Sequence, residues 1–370
     1  MKAKQAAQEI LESVGITING SKPWDPRVHD DRFYQRVMSQ GSLGLGESYM
    51  DAWWDCDQLD EFFTKILRDD IRNKVKKHWP VLVQAVFSST INRQSKGRAF
   101  KVGEDHYDTG NDLYEGMLDQ RMVYTCGYWK EVDNLDDAQE AKLDLVCRKI
   151  NLQPKQKVLD IGCGWGSFAK FAAEKYGAEV VGVTVSKEQV ALAKERCAGL
   201  PIEIRLQDYR GINETFDRIV SLGMVEHVGY KNYRDYMKVA HRCLSDDGLF
   251  LLHTIGGRKS VRGTDPWIDK YIFTNSMLPS VKQLAAASEG LFVMEDWHSF
   301  GQDYDLTLMA WFANFDEHWD EIKDKYGDRF YRMWKYYLLS CAGSFRSRRN
   351  QLWQIVYSKH GIMGGYQSIR

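Results

Sequence analysis

The sequence predicts an α/β fold: a doubly wound, mostly parallel sheet preceded by a smaller, mainly helical domain. Three observations predict it. From residue 157 onward short apolar runs alternate with amphipathic stretches (KVLDI then SFAKFAAEKYG, EVVGVTVS then KEQVALAKERCA), the pattern of β-α-β units. The first run opens into a glycine-rich turn, GCGWG, where such sheets hold their ligands. The opening 70 residues lack that alternation and read as helices.

The bulk composition narrows the function classes. A net charge of −1 excludes a chain-wide attraction to nucleic acid, while 44% hydrophobic residues give ample core. The 7 cysteines show no C-x-x-C spacing, which argues against a disulfide framework or a zinc site and points to a reducing cytoplasm. No metal is expected. The start, MKAKQAAQEILESVGI, reads as an amphipathic helix without the apolar core of a signal peptide, and no window approaches the roughly 20 apolar residues of a membrane span.

In chain order, PWDPRV marks turns, and GSLGLGESYMDAWWDCDQLDEFFTKIL reads as glycine-punctuated turns entering a helix. Its core stripe is expected at Trp53, Leu59, Phe62, Phe63 and Ile66. Residues 71–103 carry Arg72, Lys74, Lys76, Lys77, Arg93, Lys96, Arg98 and Lys101 around an apolar run, Val81–Phe87. Such a segment suits anionic lipid head groups; nucleic acid and a plainly solvated face are the alternatives. The domains are therefore drawn as 1–90, helical and lipid-associated; 91–103, a linker; and 104–370, catalytic.

The second domain opens with the aromatic segment HYDTGNDLYEGMLDQRMVYTCGYW, followed by a helix, LDDAQEAKLDLVCRKINL. After the glycine turn come strands at EVVGVTVS, IEIRLQDYR, FDRIVSLGM and GLFLLHTIG, with FVMEDWHSF and DLTLMAWFANF expected as the final pair. The stretch 258–291 reads as an insertion suited to lining a substrate cavity.

The glycine turn decides which ligand the sheet takes. Gly162, Gly164 and Gly166 form G-x-G-x-G, with Ser167 where a dinucleotide fingerprint has its third glycine. The next strand ends in Thr184 and Ser186 rather than a ribose-binding carboxylate, and the acidic residue, Asp160, closes the first strand instead. This fits the S-adenosylmethionine (SAM) loop of a class I SAM-dependent methyltransferase, a Rossmann-like sheet, better than a nicotinamide site; another nucleotide or a purely structural turn is the alternative. Further candidates fall at strand tips: Gln207, Asp208 and Tyr209, then Glu226 and His227, then His253. A single histidine or a glutamate at a helix start is commonly structural, but their convergence on one rim favours a site.

The motifs VLDIGCGWG, QDYR, MVEHVG, LLHTIG, DPWIDKYIFTN, DYDLTLMAW and HYDTGNDLY…YTCGYW, in this order, resemble the cyclopropane-fatty-acyl-phospholipid synthases, which are related to the mycolic acid cyclopropane synthases. The likeness covers nearly the whole chain. It implies methylene transfer from SAM to the cis double bond of an unsaturated phospholipid acyl chain, with bound bicarbonate as general base. It further implies that Glu226, His253 and Tyr304 hold the bicarbonate through side chains, with backbone groups of Cys126 and Ile255. For SAM it implies Gly162 and Gly164 at the methionine end, Tyr124 and Thr125 closing over it, Thr184 and Gln189 toward the ribose, and Gln207 and Asp208 near the adenine. Cys126 has no neighbouring base and reads as a structural contact. The implied partners are a phospholipid bilayer, bound peripherally at the inner face of the cell membrane through anionic lipids, and a second copy in a homodimer.

Overall fold

The computed structural model describes residues 2–68 and 110–370. The basic segment 71–103, with the linker drawn at 91–103, lies outside the described residues. The rest forms two compact units, and neither is a continuous run of chain. One comprises residues 110–263, Asn275–Asp303 and Gln351–Arg370; the other comprises 2–68, Thr264–Thr274 and Tyr304–Asn350. The unit drawn as 1–90 thus also takes two segments from the chain's second half.

The first of these units is built on seven strands: β1 (Lys157–Ile161), β2 (Glu179–Thr184), β3 (Ile202–Leu206), β4 (Phe216–Leu222), β5 (Leu244–Gly257), β6 (Val293–Ser299) and β7 (Asn350–Ser358). Their order across the sheet is β3-β2-β1-β4-β5-β7-β6. Strands β3 through β5 pair in parallel, and β6 pairs antiparallel with β7. Val158, Leu159, Ile161, Ile219, Val220, Leu251 and Leu252 are almost fully buried, as expected for central strands covered on both faces. Strand order reverses between β1 and β4, which opens a crevice at their C-terminal ends.

The helices of this unit begin and end on local signals. α1 (Asn111–Met117) precedes α2 (Leu135–Lys149), whose cap residue Asn134 accepts from the Asp137 N–H, with Asp136 and Asp137 in the first turn and Arg148 and Lys149 in the last. α3 (Ser167–Tyr176) is bounded by Gly166 and Gly177, both left-handed. α4 (Lys187–Arg196) is capped by Ser186, α5 is Tyr233–Cys243, and α6 (Val281–Ser288) carries a capping box of Ser280 and Gln283.

The expected final strand at DLTLMAWFANF is not a strand. It lies in a helix, Gln302–Tyr326, and the last strand is NQLWQIVYS, β7. The apparent alternation misled, because burial follows a helical period: Tyr304, Leu308, Trp311 and Phe315 are buried, whereas Leu306 is 48% exposed.

The other unit is helical, with Lys2–Glu12, Arg32–Gln40, Ser42–Met50, Leu59–Arg68, Pro266–Tyr271 and Asp328–Arg346, plus a short Arg27–Val28/Trp54–Asp55 ladder. The glycines expected to mark turns at 44 and 46 sit inside the helix Ser42–Met50. Their reason is close approach: a Cβ on Gly46 would lie 2.3 Å from the Trp267 ring, and one on Gly44 would lie 2.5 Å from the Arg36 carbonyl oxygen. The expected core stripe holds at Leu59, Phe62 and Phe63, but Trp54 replaces Trp53 in the core. Trp53 is instead covered by the guanidinium groups of Arg32 and Arg36 at 4.5 and 4.8 Å. Part of the stretch read as a cavity lining also serves this core, since Trp267 packs 4.5 Å from Tyr336 and is 1% exposed.

Candidate active site

A cavity of about 200 Å³ opens at the C-terminal ends of β1 to β4. The turn after β1 shapes its floor. Gly162 is left-handed at φ +84°, donates its N–H to the Val183 carbonyl at 2.9 Å, and leaves no room for a Cβ, which would meet Met224 at 2.7 Å. Gly164, at φ +53°, has nothing within 4 Å of where its Cβ would stand. Here the missing side chain leaves open space that a ligand can enter.

Every residue assigned to the cofactor lines this one cavity: Tyr124, Thr125, Asp160, Gly162, Gly164, Thr184, Gln189, Gln207 and Asp208. The Thr184 hydroxyl donates to Gln189 Oε1 at 2.7 Å, and Ser186, the cap of α4, accepts from the Gln189 N–H at 3.3 Å. Asp208 accepts from the Arg210 N–H at 2.9 Å and from its guanidinium at 2.8 Å. The Tyr124 ring packs edge-on against Tyr114 at 5.3 Å, and Tyr114 lies 5.0 Å from Trp165.

Asp160 is 2% exposed, and its Oδ2 has no hydrogen-bond partner among the described residues. Burial raises its carboxyl toward the neutral form, opposed by the charge of Lys142. Lys142 is itself completely buried, and burial lowers its ammonium. It donates to the Thr125 hydroxyl at 2.7 Å, and Gln139, three residues earlier on α2, donates to the Thr125 carbonyl at 2.8 Å. These two side chains anchor the segment that forms one wall of the cavity.

A second group lies behind the part of the cavity wall formed by Leu222, Gly223, Met224 and His227. On β5, His253 is paired with Leu222, which lines the cavity, and accepts at its carbonyl from the Gly223 N–H at 2.9 Å. His253 is 1% exposed; burial, with the charges of Lys142 and Lys149, holds its imidazole well below the usual range and therefore neutral. Its Nδ1 lies 3.3 Å from Gln354 Nε2, and its Nε2 has no partner among the described residues. Glu226 stands between the cavity-lining Met224 and His227. Its Oε1 accepts from the Ile255 N–H at 2.7 Å, its Oε2 has no partner among the described residues, and burial pushes its carboxyl up to about 7.

Glu226, His253, Ile255 and Cys126 therefore belong to the sheet-bearing unit, while Tyr304 belongs to the helical one, where its ring stacks on Phe345 at 4.5 Å. None of these residues lines the cavity itself. Of the Ile255 backbone groups expected to help hold an anion, the N–H donates to Glu226. Cys126 is wholly buried with its Sγ 3.1 Å from the Gly127 carbonyl, the geometry of a structural contact.

Residues 94–355 match the family described as mycolic acid cyclopropane synthetase. The chain belongs to this family. It is 55% identical over 364 residues to the cyclopropane-fatty-acyl-phospholipid synthase of Escherichia coli K12, spanning 98% of this chain and 95% of that protein. A cyclopropane synthase from Mycobacterium tuberculosis superimposes with a TM-score of 0.66 at 31% identity, over 70% of this chain and 98% of its own. A mycolic acid cyclopropane synthase solved with SAH and CTAB superimposes with a TM-score of 0.65 at 32% identity, over 70% and 98% of the two chains. The family is one of SAM-dependent methyltransferases with the class I fold, and SAM is the co-substrate expected in the cavity.

Sequence reasoning missed Gln139, Lys142, Arg210 and Gln354. The signal for the first two was present: a glutamine and a lysine fall on the apolar face of α2, among Leu135, Ala138, Leu143 and Val146. Gln354 carried a weaker one, as the single amide within the run LWQIVY.

Proposed function

We propose that the chain transfers a methylene unit from SAM to the cis double bond of an unsaturated acyl chain in a membrane phospholipid and closes a cyclopropane ring. The observation that carries this reading is the pair of buried, half-satisfied groups, Glu226 and His253, set directly behind the wall of a cavity with a SAM-type glycine cradle. The near full-length likeness to a phospholipid enzyme supports the substrate class.

In this reaction the alkene's π electrons form a bond to the sulfonium methyl carbon as its bond to sulfur breaks. The new methyl then loses a proton, and the electron pair left behind closes the ring onto the neighbouring cationic carbon. The proton must go to a group that does not itself capture the cation. Bicarbonate, when bound, supplies that base. The residues fit it: a small anion bearing both an O–H and acceptor oxygens suits a site offering one unpartnered acceptor, Glu226 Oε2, and one unpartnered ring nitrogen, His253 Nε2. Glu226 holds its orientation through the Ile255 N–H, and burial excludes water that would quench the cation. The Cys126 backbone is a further ligand in this reading.

Among the described residues, no helix is long and apolar enough to cross a membrane. The reading includes peripheral attachment to anionic lipid at the cytoplasmic face through the segment 71–103, and a homodimer that doubles that attachment. Mass spectrometry of phospholipid acyl chains after expression tests the reaction. A gain of one CH2 with loss of the double bond and no branched methyl is expected; unchanged acyl chains alongside turnover on a soluble substrate would overturn it.

A further inference from the structure

Gln354 lies on β7, the neighbour of β5 in the sheet, and is completely buried. Its Nε2 is 3.3 Å from His253 Nδ1. With the amide nitrogen facing the ring and its Oε1 without a partner among the described residues, the NH2 group donates and Nδ1 accepts, and a neutral imidazole then carries its proton on Nε2. The charged ring is disfavoured by complete burial and by the charges of Lys142 and Lys149. Nε2 is also the atom with no partner among the described residues, as is Glu226 Oε2. Glu226 is bound through Oε1 to the backbone of Ile255, two residues beyond His253 on the same strand, so the side chains of His253 and Ile255 point to one face.

We infer that Gln354 is a positioning residue: it fixes His253 in the Nε2–H tautomer, so that this buried ring presents an N–H donor to the oxygen of a bound bicarbonate while Glu226 Oε2 presents an acceptor. The inference rests on the proposed role of His253 as an anion ligand. It adds that a side chain with no contact to the anion sets the polarity of the site. Without the amide, an imidazole offering a lone pair from Nε2 would face the anion's oxygens with like polarity, and the donor side of the site would be lost.

The test reads the tautomer directly. Full-length protein is labelled with 15N-histidine, and long-range 1H–15N correlations are recorded, the His253 signals being those lost in His253→Gln. The expected result is a protonated-type Nε2 and an unprotonated-type Nδ1 in the wild type. A wild-type ring protonated on Nδ1 overturns the inference, and this measurement needs no variant to fold. Gln354→Glu, which accepts rather than donates, should move the proton to Nδ1; an unmoved tautomer overturns the inference. Gln354→Met, which keeps the volume, should raise the KM for added bicarbonate roughly tenfold or more, the loss of one hydrogen bond to an anion, with a smaller effect on kcat at saturation. An equal fall in kcat at all bicarbonate concentrations would mark Gln354 as merely structural and overturn the assignment. The underlying reading fails separately: wild-type turnover that does not respond to bicarbonate removal overturns the anion, and with it the purpose given to the tautomer, whatever the spectra show.

Discussion

The ammonium of Lys142 and the hydroxyl of Thr125 lie 2.7 Å apart, and through that bond a completely buried charge on α2 holds the wall of the cavity. Burying a charge costs stability, whereas the bond orders a segment that would close on a ligand. The two effects separate in Lys142→Met. Its melting temperature should stay level or rise, while its affinity for SAH should fall roughly ten- to a hundredfold, from the loss of a bond to a charged donor worth roughly 1.5–3 kcal/mol. Calorimetric titration checks this. In Thr125→Val, Lys142→Met should then cost little further affinity; full additivity would show that the two residues act apart.

Glu226 gives a pH signature. Burial holds its carboxyl near 7 against an ordinary value of 4.5. The folded state therefore binds this proton more tightly than the unfolded chain does. The stability it contributes is complete below pH 4.5 and is lost as pH rises through 7. Glu226→Gln, neutral throughout, does not follow that loss. Across this window the stability difference should open in the variant's favour by about 3 kcal/mol, while cyclopropane formation falls sharply. Denaturant titrations of both proteins over a pH series decide it; parallel curves would show that the fold does not raise the carboxyl's titration range.

Gly164 and Gly162 should respond differently to a methyl group. Both have left-handed backbones, which cost a non-glycine residue roughly 1–2 kcal/mol. Only at Gly162 would the Cβ also collide with Met224, at 2.7 Å. Gly164→Ala should therefore fold and lose SAH affinity, because its Cβ projects into the ligand's space. Gly162→Ala should lose more stability. Melting curves with and without SAH distinguish them, and an undiminished shift by SAH in Gly164→Ala would remove Gly164 from the cradle.

In the helical unit, Gly46→Ala forces a Cβ to within 2.3 Å of the Trp267 ring. Overpacking of this kind costs roughly 1–3 kcal/mol. Tryptophan fluorescence in a denaturant series should report that loss, and Trp267→Leu should partly restore Gly46→Ala by making room.

How much of this was legible in the sequence depends on how local each signal is. The run Asp160–Gly166 declares strand, turn and helix within a few residues, and the strand tips near Thr184, Gln207, Asp208 and Glu226 follow from the β-α alternation, whereas His253, expected at a tip, lies inside β5. The contacts that cross the chain were not legible. Gly44 and Gly46 look like turn residues until Trp267, more than two hundred positions away, is seen against them. The stretch 305–315 alternates like a strand over its first few residues, and only the burial of Leu308, Trp311 and Phe315 at helical spacing reveals a helix. Lys142, Gln139 and Gln354 act through tertiary neighbours, and no spacing along the chain announces them.

The place of β7 has a consequence for biosynthesis. It leaves the ribosome after the other six strands of the sheet, yet it lies between β5 and β6. Until residues 350–358 emerge, β5 carries a bare edge of backbone donors and acceptors, an invitation to pair with a neighbouring nascent chain. A premature stop codon shortly before Asn350 would therefore yield an aggregating product rather than a slightly shortened enzyme.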